Sequence, residues 1–308
     1  MGDIIHALPA VASLRDSFPG HRIHWVLAPK WRALLEGNPD VDELVPFDRS
    51  TLGGVLRSWR RLRAIQPEVA VDLQGLLQSA LIGRASRPHE FFGWAANVAR
   101  EPIASRLYSK RVLPKAAHVV DKNLELVAAA GAVTISKRFF IPQGKPEGEL
   151  PEGPFVLTHP FAGWVSKQWP LENYGRLGAL LKREGLMLVA NVPPSRASDL
   201  NGLLDVRVHT SSLTGLIDAT RRATAVLGLD SGPLHLAAAL SKPGVALFGP
   251  TDPSRNGPYG GSIRVLRSNA AVTSYKRRDE IDPSMRALTV EQAHNALIGA
   301  LQRAESRA

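Results

Sequence analysis

Between Val226 and Leu240 the chain reads VLGLDSGPLHLAAAL, and this stretch constrains the fold more than any other. A β-branched and apolar run stops at Asp230-Ser231-Gly232, and an apolar helical pattern opens at Pro233. Proline suits the first helical position, where its missing N–H would have no partner in any case. A strand that turns at once into a helix belongs to a parallel βα unit. The free N–H groups at the helix start, backed by the helix dipole, make an anion site suited to phosphate. Gly232 lets the main chain approach a ligand, Ser231 adds a hydroxyl, and His235 adds a donor one turn later. The next apolar run, 245–248, ends in a second Gly/Pro loop, GPTDPSRNGPYG (249–260). Open parallel sheets bind ligands at the carboxyl ends of their strands, so both loops fall on one edge and read together as a nucleotide site.

The rest of the chain repeats this alternation. Strands are expected over 23–27, 44–46, 69–72, 155–159, 187–191, 225–229 and 245–248. Helices are expected over 9–17, 30–35, 52–65, 76–84, 119–130, 171–184, 213–222, 234–240 and 290–305. The class is therefore α/β with parallel sheets. With 308 residues, 44% hydrophobic and 21% charged, the chain can build two globular domains with proper cores. The segment QGKPEGELPEGP (143–154) has no periodicity and is the linker. It divides an N-terminal domain, 1–145, from a C-terminal domain, 153–288. A final helix, 289–308, is expected to pack back toward the N-terminal domain.

No apolar run reaches the roughly 18–20 residues of a membrane span, and no signal peptide opens the chain. The absence of cysteine excludes disulfides, thiolate zinc sites and cysteine nucleophiles. A cytoplasmic location is expected. The balance of 38 Lys+Arg against 28 Asp+Glu, a formal +10, favours anionic partners. A local cluster, RSWRRLRA (57–64), sits on an expected helix. Aromatic residues are only 6% and form no stacking platform, so nucleic acid ranks below an anionic glycolipid.

The chain opens with Met1-Gly2-Asp3 and runs directly into the helical pattern Ile4, Ile5, Leu8, Val11, Leu14, Phe18. An α/β half places a strand before such a loop, and here that first strand is missing. The natural protein is expected to begin about a dozen residues upstream, the length of a loop plus one strand.

Six segments in order, GDIIHALPAVASLR (2–15), EGNPDVDEL (36–44), DLQGLLQSALIGR (72–84), AGWVSKQWP (162–170), LDSGPLHLAAAL (229–240) and FGPTDPSRNGPYG (248–260), together resemble glycosyltransferase family 9. The family holds the lipopolysaccharide heptosyltransferases, and the DLQG segment looks closer to heptosyltransferase I than II. The resemblance implies a GT-B fold, in which two Rossmann-like parallel-sheet domains face a cleft. The donor would sit in the C-terminal half and the acceptor in the N-terminal half. It also implies an inverting transfer that uses no metal and no cofactor. Heptose would move from ADP-L-glycero-β-D-manno-heptose to the Kdo or inner core of lipid A. The enzyme would work in the cytoplasm, peripheral on the inner membrane.

Under this resemblance Asp3 is the catalytic base that takes the proton from the acceptor hydroxyl. Read without it, Asp3 is a helix cap. Lys167 matches the family's donor-phosphate lysine, whose charge stabilises the leaving nucleoside diphosphate. Asp230, Ser231, Gly232 and His235 follow the donor motif, joined by Ala162, Gly163 and Thr251. A carboxylate against a diphosphate is repulsive, so Asp230 must do more than touch phosphate. Asp72, Gln74 and Gln78 would line the acceptor loop, with Arg111 and Lys122 as cations for Kdo carboxylates or core phosphates.

Three departures from the family pattern stand out. Gln78 replaces a frequent lysine, the loop 192–196 offers no acid before Asp199 to grip a ribose, and TSYKRRDEIDPSMR (273–286) has no cysteine. The altered loop at 192–199 keeps open a family transferase using another nucleotide sugar for a different surface glycan, and the missing first strand keeps open a nucleotide-sugar binding protein without turnover.

Overall fold

A computed structural model describes residues 1–306. The chain divides at Gln143 into two compact units. Residues 3–142 form one; Met1–Gly2 group with the residues from Gln143 onward in the other.

The N-terminal unit contains α1 (Gly2–Ser17), β1 (His24–Leu27), β2 (Glu43–Pro46), α2 (Leu52–Ile65), β3 (Val69–Val71), α3 (Leu77–Ala85), β4 (Glu90–Trp94), β5 (Lys110–Val112) and α4 (Val119–Ala129). Among the described residues no strand precedes α1. The five strands of this unit divide into two separate parallel sheets, β1-β2 and β3-β4-β5. Helix α1 is buried on every side from Ile5 to Ser13, with Pro9 inside it. A helix apolar all round belongs in a core, not on a surface. Ala10 of α1 packs with Val127 of α4 and Val71 of β3. The Asn123 amide of α4 donates to the His6 carbonyl at 3.0 Å.

The C-terminal unit contains β6 (Phe155–Thr158), α5 (Leu171–Arg183), β7 (Met187–Val192), β8 (Val206–Thr210), α6 (Leu213–Arg222), β9 (Ala225–Leu229), α7 (Gly232–Ala239), β10 (Gly244–Phe248), α8 (Pro253–Asn256), β11 (Ile263–Arg267), α9 (Pro283–Arg286) and α10 (Val290–Glu305). All six strands are parallel, in the order β11-β10-β9-β6-β7-β8. Counted from β6, this is the doubly wound order 3-2-1-4-5-6, whose direction reverses between β6 and β9. The pleat sorts the strand side chains onto two faces. Val156, Leu188, Leu227 and Val245 face one core with Leu177 of α5 and Leu297 of α10. Leu157, Val189, Val226 and Ala246 face the other with Ala219 of α6 and Leu234 of α7. Burial on both faces is why these strands read as unbroken apolar runs.

The apolar face of helix α10, Val290, Ala293 and Leu297, is buried in the C-terminal core. The helix ends at Glu305, and the last two residues of the expected segment lie outside the described residues. Among the described residues no helix is long and apolar enough to cross a membrane.

Candidate functional site

In the C-terminal unit the sheet reverses direction between β6 and β9, and two loops leave the carboxyl ends of these strands side by side. The loop after β6 makes a 3₁₀ turn at Val165–Lys167, and the loop after β9 is Asp230-Ser231 ahead of α7. Lys167 Nζ donates to Asp230 Oδ2 at 2.6 Å, joining the two loops across the reversal. Both side chains are largely buried, 15% and 7% exposed. His235 Nε2 approaches the other oxygen of Asp230 at 3.9 Å. The ammonium of Lys167 also lies 4.2 Å from the centre of the Trp164 ring, a cation–π contact that fixes its stem. Asp230 is neutralised by Lys167 and serves to hold the lysine in place.

Ser231 is the N-cap residue of α7, yet its side chain makes no cap hydrogen bond. Its hydroxyl is buried without a partner among the described residues, as are those of Thr251, in the loop after β10, and Ser166, beside Lys167. Buried hydroxyls without partners are costly, and a ligand at the carboxyl edge would satisfy them. Gly232 is less open than its sequence role implies. A Cβ there would lie 2.8 Å from Cβ of Met1, so the close approach it permits is to that side chain. Ala162 contributes its carbonyl to the Gln168 amide at 3.2 Å, and a Cβ on Gly163 would meet nothing. Trp169 is fully buried, donating from Nε1 to the Leu288 carbonyl at 2.9 Å, and is packing.

Beside this constellation is a cavity of about 220 Å³ at the ends of β6, β7 and β8, lined by His159, Phe161, Asn191, Pro193, Ser211 and Leu213 among others. The Asn191 amide donates to His209 Nδ1 and to Ser211 Oγ, both at 2.8 Å. His209 Nε2 in turn donates to the Glu147 carbonyl at 2.7 Å. His159 Nδ1 donates to the Asn191 carbonyl at 3.0 Å. Burial is the main force lowering the His159 pKa, with His209 adding to it against the pull of that hydrogen bond. The imidazole titrates at about 4 and is neutral at physiological pH. Its Nε2 is then an acceptor on the cavity wall. An apolar slot with a few fixed polar groups is the lining of a small-molecule site. The missing acid in the loop 192–196 is not replaced by Asp199, which pairs with Arg196. Arg196 stacks on Phe161, its guanidinium carbon 3.8 Å from the ring centre. Sequence reasoning did not single out His159, Asn191 or Ser211. His159 and Asn191 close apolar runs with a polar residue, and that was the signal available; Ser211 follows β8, whose VRVHT pattern gives no such signal.

The N-terminal unit gathers a second constellation. Asp3 lies in the first turn of α1, where its carboxylate accepts from Arg100 Nη1 at 2.9 Å, Arg100 Nη2 at 2.5 Å and Gln74 Nε2 at 3.4 Å. Burial alone would raise its pKa. The bidentate Arg100 guanidinium and Gln74 together outweigh burial and hold the carboxyl below its ordinary range. Asp3 is thus an ion-paired carboxylate rather than a cap, and Arg100, which the sequence did not flag, is its main partner.

Asp72 is buried and engaged in its own loop. One oxygen accepts from the N–H groups of Gln74 (2.9 Å) and Gly75 (3.3 Å), the other from Ser79 Oγ (2.8 Å) and the Tyr108 hydroxyl (2.7 Å). It therefore shapes the loop that carries Gln74. Gly75 completes the turn at φ +72°, where a Cβ would come within 2.7 Å of Trp94. Gln78 accepts from Arg49 Nη1 at the surface. Arg111 lies on β5 and donates to the Ser105 carbonyl at 2.9 Å, while Lys122 sits in α4. Of the five acceptor-loop candidates, the structure joins Gln74 to Asp3.

The chain is 29% identical to lipopolysaccharide heptosyltransferase 1 of Pseudomonas aeruginosa over 85% of its own length and 79% of the relative's. It is 28% identical to the same-named protein of Escherichia coli K12, over 87% and 91%. In structure it superposes on the E. coli heptosyltransferase WaaC with ADP with a TM-score of 0.73, at 25% identity over 100% of this chain and 97% of the other. It also shares the fold of E. coli ADP-heptose lps heptosyltransferase II, with a TM-score of 0.80 at 23% identity over 99% and 96%. Residues 55–284 match the family described as glycosyltransferase family 9 (heptosyltransferase). The chain belongs to glycosyltransferase family 9.

Proposed function

We propose that this glycosyltransferase moves heptose from ADP-heptose to the Kdo inner core of lipid A, with inversion at the anomeric carbon. The observation that carries the reading is the Lys167–Asp230 pair bridging the loops at the sheet reversal, with the start of α7 and the Ser231 and Thr251 hydroxyls beside it. These groups are donors and a cation for a diphosphate, and the neighbouring cavity, apolar with a few fixed polar groups, would take part of its nucleoside. In the proposed step an acceptor hydroxyl attacks the anomeric carbon, its proton passes to the Asp3 carboxylate, and the bond to the diphosphate oxygen breaks. Lys167, Ser231 and the α7 N–H groups stabilise the charge that grows on the departing ADP. Gln74 and Arg100 hold Asp3 in its ionised, proton-accepting form. The acceptor is taken at the cytoplasmic face of the membrane that carries it.

Calorimetry with ADP-, UDP- and GDP-sugars tests the donor. The expected result is selective binding of the ADP form, weakened about tenfold or more in Lys167→Ala, the scale of one charge-assisted hydrogen bond. Preference for UDP or GDP would replace the donor, the alternative that the altered loop at 192–196 keeps in view.

A further inference from the structure

The basic cluster on α2 has no part in either constellation. The buried side of that helix is Gly54, Ser58 and Leu62. On its outer side Leu52 and Leu56, one turn apart, are 90% and 51% exposed. At 100° per residue, Arg60 and Arg63 fall within the same arc of about 80° as these two leucines. Helix α3 packs beside α2 and repeats the arrangement, with exposed Leu77 and Leu81 followed by exposed Arg84. Neither helix contains an aspartate or glutamate. Arg61 pairs with Glu43, whereas Arg60, Arg63 and Arg84 have no carboxylate within ion-pair distance among the described residues.

Leucines held in water beside uncompensated arginines gain from one environment above others. Apolar side chains enter the acyl boundary of a bilayer while the guanidinium groups meet headgroup phosphates. A protein partner of acidic character would satisfy the arginines but not a row of leucines standing clear of any groove. We infer that the outer face of α2, continued by the Leu77–Arg84 stripe of α3, is a docking surface for an anionic bilayer. Arg49, just ahead of α2, is bonded to Gln78 at the start of α3, so the surface adjoins the loop proposed to meet the acceptor. The inference rests on the reading that the acceptor is lipid-borne, but it is tested with neither donor nor acceptor present.

The experiment is flotation of the full chain with vesicles of phosphatidylethanolamine and phosphatidylglycerol, against vesicles of phosphatidylcholine alone. The wild type is expected to float with the anionic vesicles only. Arg60→Glu/Arg63→Glu should weaken that binding by about a hundredfold. Leu52→Asp/Leu56→Asp should weaken it by about tenfold or more, including at high salt. All four positions are exposed, so ADP affinity by calorimetry should not change in either variant. Lost ADP binding in the wild type would count against the donor reading and leave the vesicle result standing. Variants that float like wild type, or a wild type that ignores anionic vesicles, would overturn the docking surface. So would leucine variants that keep vesicle binding but dissociate a dimer in sedimentation, since the face would then belong to a second copy of the chain.

Discussion

At the scale of single residues, the account turns on two carboxylates with opposite duties. Asp3 is half-exposed and held ionised by Arg100, which suits a base that must be free of its proton before the reaction starts. Asp3→Asn should lower kcat by about a hundredfold to ten-thousandfold, the usual range for a general base, and leave ADP affinity unchanged in calorimetry. With Asp3 as the proposed base, Arg100 also sets the pH at which it works. It depresses the Asp3 pKa, so turnover is retained as pH falls until the lowered pKa is reached. Arg100→Ala removes the depression, and the acid limb of the kcat profile should move to higher pH, as pH–rate measurements would show. Asp230 by contrast is buried with Lys167. Lys167→Ala leaves it unpaired in a dry site and should destabilise the fold by about 3 kcal/mol in urea titration. Lys167→Met with Asp230→Leu, which removes both charges, should cost less than the single change. Similar losses for the two would show that the pair contributes packing and not charge balance.

At the scale of elements, the turn at Asp72–Gly75 is the clearest case of local structure placing a functional side chain. Four hydrogen bonds to Asp72 and the left-handed Gly75 deliver Gln74 to Asp3. Gly75→Ala should destabilise by about 2 kcal/mol or more in denaturant unfolding, because both its φ and the Trp94 contact exclude a side chain. Elements with strong periodicity or full burial were legible: α2, α6 and α10 match their expected ranges, and β9 and β10 do as well. β4 (EFFGW), β5, β8 and β11 were not read as strands. β5 opens on Lys110-Arg111, β11 carries Arg264 and Arg267, and β8, VRVHT, alternates too briefly to stand out. Their place is set by pairing with a neighbour already in the sheet, a nonlocal fact. The strand–turn–helix of β9 and α7 was readable because its parts are contiguous in sequence. Arg100 lies 97 residues from Asp3 and in no motif, so the ion pair was invisible until the chain was folded. The cavity suffered likewise, its polar residues coming from the ends of three strands.

At the scale of the whole molecule, the two units differ in how their cores are built. The C-terminal unit has one six-stranded sheet with a continuous core on each face, whereas the N-terminal unit divides its strands between two sheets over several small clusters. Hydrogen exchange should therefore show the N-terminal unit opening at lower denaturant. ADP should raise protection in the C-terminal sheet, by linkage to the unit that holds the donor constellation. The central claim, that the chain transfers heptose from ADP-heptose with Asp3 as the base, is tested most directly by turnover. Purified protein would be incubated with ADP-heptose and Kdo-lipid A, with ADP release and heptosylated lipid measured together for wild type and Asp3→Asn. The account predicts one heptose added, with inverted configuration, per ADP released by the wild type, and almost none by the variant although it binds ADP. Equal turnover by the Asp3 variant, or ADP released with no heptose on the lipid, would contradict it.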